Sequence, residues 1–222
     1  MENREKCGIV DGTAAVQNGG RTEMLEYNQP REGLRNCTED WMEREVILYI
    51  GVSVDGYLAD ADGGVEWMKG HGAEEGDGGY QAFYETVDTL IMGRATYEQV
   101  KTQLSPDSWP YEGKECYVVT SQFLEDTDEV TFWPGDVWEL VFLLKQRTGK
   151  AIWLVGGAKL LKSFMEQELV DQYWISMLPV ILGKGMPLFL PGDYRERLIL
   201  DRTLVWDGVV TNVYFNRAEN AE

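Results

Sequence analysis

An α/β fold is what this sequence predicts, with a mixed, mostly parallel central sheet, helices on both of its faces and an antiparallel hairpin at its end. Three stretches carry that expectation. Residues 152–165 (IWLVGGAKLLKSFM) join an uninterrupted apolar run, strand-like and buried on both faces, to Leu160, Leu161, Phe164 and Met165 at helical spacing, with Gly156 and Gly157 between them. Residues 89–100 repeat the order: a short strand (TLIM), then Gly93-Arg94-Ala95-Thr96, then a helix opening at Tyr97. Near the end, Asp207-Gly208 separates the apolar segments 198–206 and 209–215, a hairpin signal. Strands that alternate with helices give parallel pairing, and the hairpin closes the sheet antiparallel.

In chain order, residues 1–44 mix charge, glycine and scattered apolar residues with no sustained period and read as an extension of low structural content. The domain spans 45–217, with 218–222 a short tail. Residues 46–54 (VILYIGVSV) are a central strand that ends in the turn dipeptide Asp55-Gly56. Tyr80, Phe83, Tyr84 and Val87 fall at i, i+3, i+4 and i+7 and predict a helix over 79–87. A proline-bearing linker, 104–115, leads to a third buried strand at 116–120 (CYVVT). Val137, Leu140, Val141 and Leu144 mark a further amphipathic helix, and 172–182 (QYWISMLPVIL) is a long strand followed by a loop over 183–187.

Twenty basic against thirty-eight acidic residues leave a formal charge of −18. That sign disfavours nucleic acid and anionic membrane surfaces as partners and asks for a local cation wherever an anionic small molecule binds. Cys7, Cys37 and Cys116 are few, odd in number and widely spaced, which points to no disulfide framework or zinc ribbon and to a reduced, cytoplasmic setting. No apolar run reaches membrane-spanning length, and the first residues are polar and charged rather than secretory. His71 is the only histidine, so a Ser-His-Asp triad or a multi-histidine metal site is not expected; no metal ligand is assigned. A phosphate-binding G-x-x-x-x-G-K-[ST] motif is also missing.

The three strand ends MGRAT (92–96), VTSQ (119–122) and VGGAKLL (155–161), in this order and spacing, resemble the dihydrofolate reductase superfamily. Within it, SVDGYLAD and the DGGVEWM that follows (53–68), with LPVILGKGMPLF (178–189), resemble the reductase (C-terminal) domain of the bacterial bifunctional riboflavin deaminase-reductase and its stand-alone relatives. The histidine and cysteine cluster of the deaminase half is absent. The resemblance covers about residue 46 to the end. It implies a dihydrofolate reductase-like three-layer αβα sandwich that binds NADPH and reduces a small heterocyclic or ribosylamino-pyrimidine-like substrate.

Carried onto this chain, the resemblance puts the adenosine-side phosphate at Arg94 after Gly93, and the pyrophosphate at the Ala95 and Thr96 N–H groups. Thr120 and Ser121 lie beside the adenosine ribose. Val155, Gly156 and Gly157, with Ala158, Lys159 and Leu160 at the helix mouth, take the pyrophosphate and nicotinamide ribose. Gly51, Leu58 and Ala59 fall around the nicotinamide ring. The family also places an unusual peptide geometry at this Gly-Gly. Read from the residues alone, a surface arginine, a strand terminus and a tight turn remain open for these same positions.

Reduction needs a proton as well as a hydride, and a carboxylic acid raised in pKa by burial, or an ordered water, supplies one. Asp55 and Glu66 are the candidates, for substrate contact or proton supply, with turn chemistry and a solvated loop as the alternatives. Where dihydrofolate reductases carry an acid in a P-W-x-x-x-x-D-like context, this chain has Glu66-Trp67-Met68-Lys69-Gly70, which argues against pterin reduction. Lys184, between two glycines, is either an attractor for an anionic substrate or a solvated loop lysine. Tyr173, Trp174 and the terminal hairpin offer apolar strand surface for a homodimer, or else they cover the domain's own helices.

Overall fold

The computed structural model describes residues 9–10, 13–18 and 21–26 by their backbone, and residues 44–70 and 79–216 in full. The chain divides into two units, 1–40 and 41–222. In the first, β1 (Ile9–Val10), β2 (Thr13–Asn18) and β3 (Arg21–Glu26) form a three-stranded antiparallel sheet in sequence order. Low structural content was expected there. The register pairs Asn18 with Arg21. The tail at 218–222 and the sites of His71, Cys7 and Cys37 lie outside the described residues.

The second unit opens with β4 (Val46–Ser53) and β5 (Tyr57–Ala59) and continues through helix α1 (Tyr80–Thr86), β6 (Val87–Gly93) and α2 (Arg94–Gln99) to β7 (Glu115–Val119) and β8 (Thr131–Trp133). Then come α3 (Val137–Lys145), β9 (Ala151–Gly156), α4 (Ala158–Glu166), β10 (Gln172–Leu178), β11 (Met186–Pro187), β12 (Leu198–Trp206) and β13 (Val209–Asn216). Eight strands make one sheet in the order β12-β13-β10-β4-β9-β6-β7-β8. From β10 to β8 every pairing is parallel, and β13 joins β10, and β12 joins β13, antiparallel. This is the predicted sheet.

Both faces of the sheet are covered, which is why its central strands read as continuous apolar runs. On one face Val46 and Leu48 of β4 and Ile152 and Leu154 of β9 pack under Leu140, Val141 and Leu144 of α3 and Leu161, Phe164 and Met165 of α4. Ile47 and Trp153 turn to the other face, where Phe83 of α1, Leu90, Met92 and Val118 form a second cluster with Tyr49, Tyr97 and Trp174 against it. Each fully buried side chain of this size contributes about 1.5–3 kcal/mol. Helix α3 starts where Asp136 accepts from the Trp138 N–H at 2.8 Å, a carboxylate cap. Buried Arg44 anchors the start of the unit, donating to Asp88, to Thr89 Oγ1 at 2.6 Å and to the carbonyls of Lys150 and Leu144.

Several expectations are corrected. β10 stops at Leu178 rather than residue 182, because Pro179 has no N–H to give the ladder. Within the expected 183–187 loop, β11 pairs antiparallel with β5. β8 was not foreseen; it is three half-buried residues long, too short to show a period. Tyr173 is fully buried in this chain's own core, and Trp174 is partly covered by Tyr49, Phe83 and the Arg202 guanidinium, so the covering alternative accounts for both. The exposed apolar strand surface is instead Ile199, Leu200, Val205 and Trp206 on edge strand β12.

Candidate functional site

Strands β4, β9, β6 and β7 are neighbours and parallel, so their carboxyl ends open on one edge. All three glycine or serine corners read from the sequence stand there, side by side. Met92 pairs with Gly156 and Gly93 with Val119. A Cβ on Gly93 would come to 3.8 Å from both the Gly156 carbonyl oxygen and the Leu160 Cβ. Between the first and third corners there is a direct bond: the Gly157 N–H donates to Thr96 Oγ1 at 3.1 Å.

The third corner is a glycine turn packed against its neighbours, with Gly156 buried and Gly157 half-buried. The Gly156–Gly157 peptide is cis, and Gly156 has φ of 110°, a region that favours glycine. A Cβ there would meet Ile50 Cδ1 at 3.0 Å. Gly157 is the N-cap of α4 and offers no side chain to cap it, while the first helical bond runs from the Leu161 N–H to the Gly157 carbonyl at 3.0 Å. The first-turn N–H groups of a nine-residue helix are thus left to an external acceptor. Ala158 and Leu160 are buried beneath the turn and Lys159 is exposed beside it. Val155 is half-buried at the strand end.

At the first corner Arg94 is partly exposed. Its Nε donates to Glu98 at 2.7 Å and its NH1 group to the Gln122 side chain, which ties α2 to the segment after β7. Ala95 and Ser121 are exposed, and Thr120 is pinned by its N–H to the Trp133 carbonyl at 3.0 Å. At the β4 end, a Cβ on Gly51 would stand 3.2 Å from Leu178 Cδ1 and 3.8 Å from the Met68 thioether. Leu58 is buried and joins the core. The Ala59 carbonyl lies where a Gly185 side chain would begin, 2.0 Å from its Cβ position. Four residues of this edge were not singled out from sequence: Ile50, Met68, Gln122 and Leu178. Ile50 read as a strand residue, and Met68, Gln122 and Leu178 lie inside the DGGVEWM, VTSQ and LPVILGKGMPLF motifs without being set apart there as site residues.

The two carboxylate candidates are placed differently. Asp55 accepts from Ser53 Oγ at 2.7 Å, from the Gly183 N–H at 2.7 Å and from the Leu182 N–H at 3.1 Å. Burial pushes its carboxyl upward, but these donors outweigh it and hold the group below the usual carboxylate range. Its bonds to the Leu182 and Gly183 N–H groups tie the β4 turn to the loop after β10. Glu66 is exposed and pairs with Lys69 at 2.5 Å. Lys184 is exposed between its two glycines.

The family model of the RibD C-terminal domain matches residues 44–210. Over 160 residues, 71% of this chain and 90% of the relative, the chain is 46% identical to the uncharacterized protein YwjB of Bacillus subtilis (strain 168). The crystal structure of a putative riboflavin biosynthesis protein from Shewanella sp. PV-4 is similar with TM-score 0.70 and 28% identity, over 78% of this chain and 99% of that one. The diaminohydroxyphosphoribosylaminopyrimidine deaminase/5-amino-6-(5-phosphoribosylamino)uracil reductase of Thermotoga maritima gives TM-score 0.59 at 15% identity, over 78% of this chain and 57% of that one. Dihydrofolate reductase from Enterococcus faecalis, solved with NADP(H), gives 0.52 at 16%, over 78% and 97%. At those last two identities the likeness is one of fold. Among the described residues no helix is long and apolar enough to cross a membrane. The chain belongs to the RibD C-terminal domain family, a reductase-type family with a dihydrofolate reductase-like fold.

Proposed function

We propose that this chain is an NADPH-dependent reductase, placed in the cytoplasm, that delivers hydride to a small heterocyclic or ribosylamino-pyrimidine-like substrate. The observation that carries the reading is the bond from the Gly157 N–H to Thr96, which ties two glycine corners of one sheet edge into a single rim. The residues fit a pyridine dinucleotide. Side-chain-free, half-buried backbone at Gly157 allows close approach, the uncapped first turn of α4 offers N–H donors to a pyrophosphate, and Arg94 supplies a cation in an acidic protein. Thr120 and Ser121 offer hydroxyls to a ribose, and Gly51 lets Leu178 and Met68 pack close at the β4 end.

When bound, the reduced nicotinamide supplies the hydride. The chain's own work is to orient the cofactor along the rim and to shield one face with Met68 and Leu178, which crowd Gly51. Since Asp55 is held ionised and Glu66 is exposed, the proton is assigned to solvent. That same observation favours a second reading, an NADPH-binding protein that keeps the fold without efficient turnover.

Loss of NADPH absorbance measured against a panel of ribosylamino-pyrimidines, dihydrofolate and quinones tests the proposal. Saturable turnover on the pyrimidine class supports it. NADPH binding without turnover on any member selects the second reading, and turnover on dihydrofolate alone contradicts the substrate class. A homodimer formed along the exposed β12 edge is part of the proposal; a monomer mass in light scattering at micromolar concentration overturns that part.

A further inference from the structure

One residue beyond Gln122, the side-chain partner of Arg94, stands Phe123, 91% exposed, on a loop with Glu125, Asp126 and Asp128 after it. The loop is pinned on both sides of the ring. Upstream, the Gln122 N–H donates to Thr120 Oγ1 at 3.2 Å, its side chain accepts from Arg94, and Thr120 is bonded to β8. Downstream, Asp126 accepts from the Phe132 N–H at 2.9 Å, and Thr127 bonds with the backbone of Glu129 and Val130. An aromatic ring presented to water from a fixed base, one residue from the arginine's partner, has little conformational freedom to lose when a flat group lands on it.

Resting on the cofactor reading above, we propose that Phe123 is a purine-stacking residue that binds the adenine end of the dinucleotide and sets the preference for an adenosine-bearing cofactor. The chemistry selects this occupant. A purine is flat, neutral and tolerant of neighbouring carboxylates, and every base presents a π-face to an aromatic ring. The phosphates are kept from the acidic loop and drawn toward Arg94 and the α4 turn, which leaves the base as the part of the ligand that reaches Phe123. Leu124, itself exposed, extends the apolar patch beside the ring.

The test uses the full chain and three probes: NADPH; 2′,5′-ADP, which keeps the adenosine but lacks nicotinamide; and reduced nicotinamide mononucleotide, which lacks adenosine. Phe123→Ala is expected to weaken NADPH and 2′,5′-ADP by the same factor, about fivefold or more, and to leave the mononucleotide unchanged. Phe123→Trp restores the affinity. The ring's exposure means that neither substitution disturbs folding, which a denaturation midpoint checks. Wild-type NADPH affinity in Phe123→Ala overturns the inference alone, as does an equal loss for the mononucleotide. A wild-type chain that binds none of the three probes overturns the cofactor reading and this inference with it.

Discussion

Gly157 donates its backbone N–H to the Thr96 hydroxyl across 3.1 Å, so the helix mouth after β9 and the first turn after β6 are one unit. Sixty-one residues separate the two partners. Thr96→Val keeps the shape and removes the acceptor, leaving a partly buried N–H unpaired at a cost of about 1 kcal/mol. The expected outcomes are a fold retained in denaturant titration and NADPH affinity about tenfold weaker.

Asp55 should act through position and not through its proton. Its folded pKa is depressed, so its contribution to stability is present above the unfolded value of 3.8 and is lost as pH falls through the lower folded value. Asp55→Asn removes that acid limb from the stability profile and sets an amide donor against the Gly183 N–H. Tryptic cleavage after Lys184 is expected to speed up, while the pH profile of any turnover keeps its shape. A lost pH limb in turnover would return Asp55 to the catalytic candidates.

Glu196 shows the opposite sign. Burial raises its carboxyl pKa against the opposing hydrogen bond from Tyr173, and Asn216 also donates to it at 3.2 Å. It lines a cavity of about 230 Å³ with Met165, Glu166 and Tyr194. A raised folded pKa means stability fully present below the unfolded value of 4.5 and lost as pH rises through the folded one. Glu196→Gln should therefore flatten the fall in stability as pH rises above the unfolded value of 4.5, read from denaturation midpoints at several pH values.

Arg44 is 4% exposed and holds the domain's entry to Asp88, Thr89 and two carbonyls. Arg44→Ala leaves those acceptors without their donor, and a loss of about 3 kcal/mol is expected in equilibrium unfolding. Asp88 keeps part of its water shell, which places the figure at the low end for a broken buried pair. A change below the error of the denaturation curve would show that the network is ornamental.

Much of the fold was written locally. Asp207-Gly208 sits with φ of 42° and 77°, the left-handed pair that a two-residue hairpin needs, and the dipeptide alone announced it. The Ile152-to-Met165 stretch showed strand, glycine corner and helix because each has its own period or its own residue type. Roles that depend on distant partners were not legible. Asp55 looked like a candidate acid because the N–H groups of Leu182 and Gly183 that occupy it lie more than a hundred residues away. Gln122 became visible only through Arg94, and Met68 only through its approach to Gly51. β8 was hidden by its length and by the acidic loop before it.

The central claim, that neighbouring carboxyl ends of one sheet grip a single pyridine dinucleotide, is tested most directly by calorimetric titration of the whole chain with NADPH. The account predicts saturable binding of one cofactor per chain, weakened in a Gly156→Ala variant whose new methyl group meets Ile50. Absence of binding heat with both NADPH and NADH, together with unchanged tryptophan fluorescence, would contradict it.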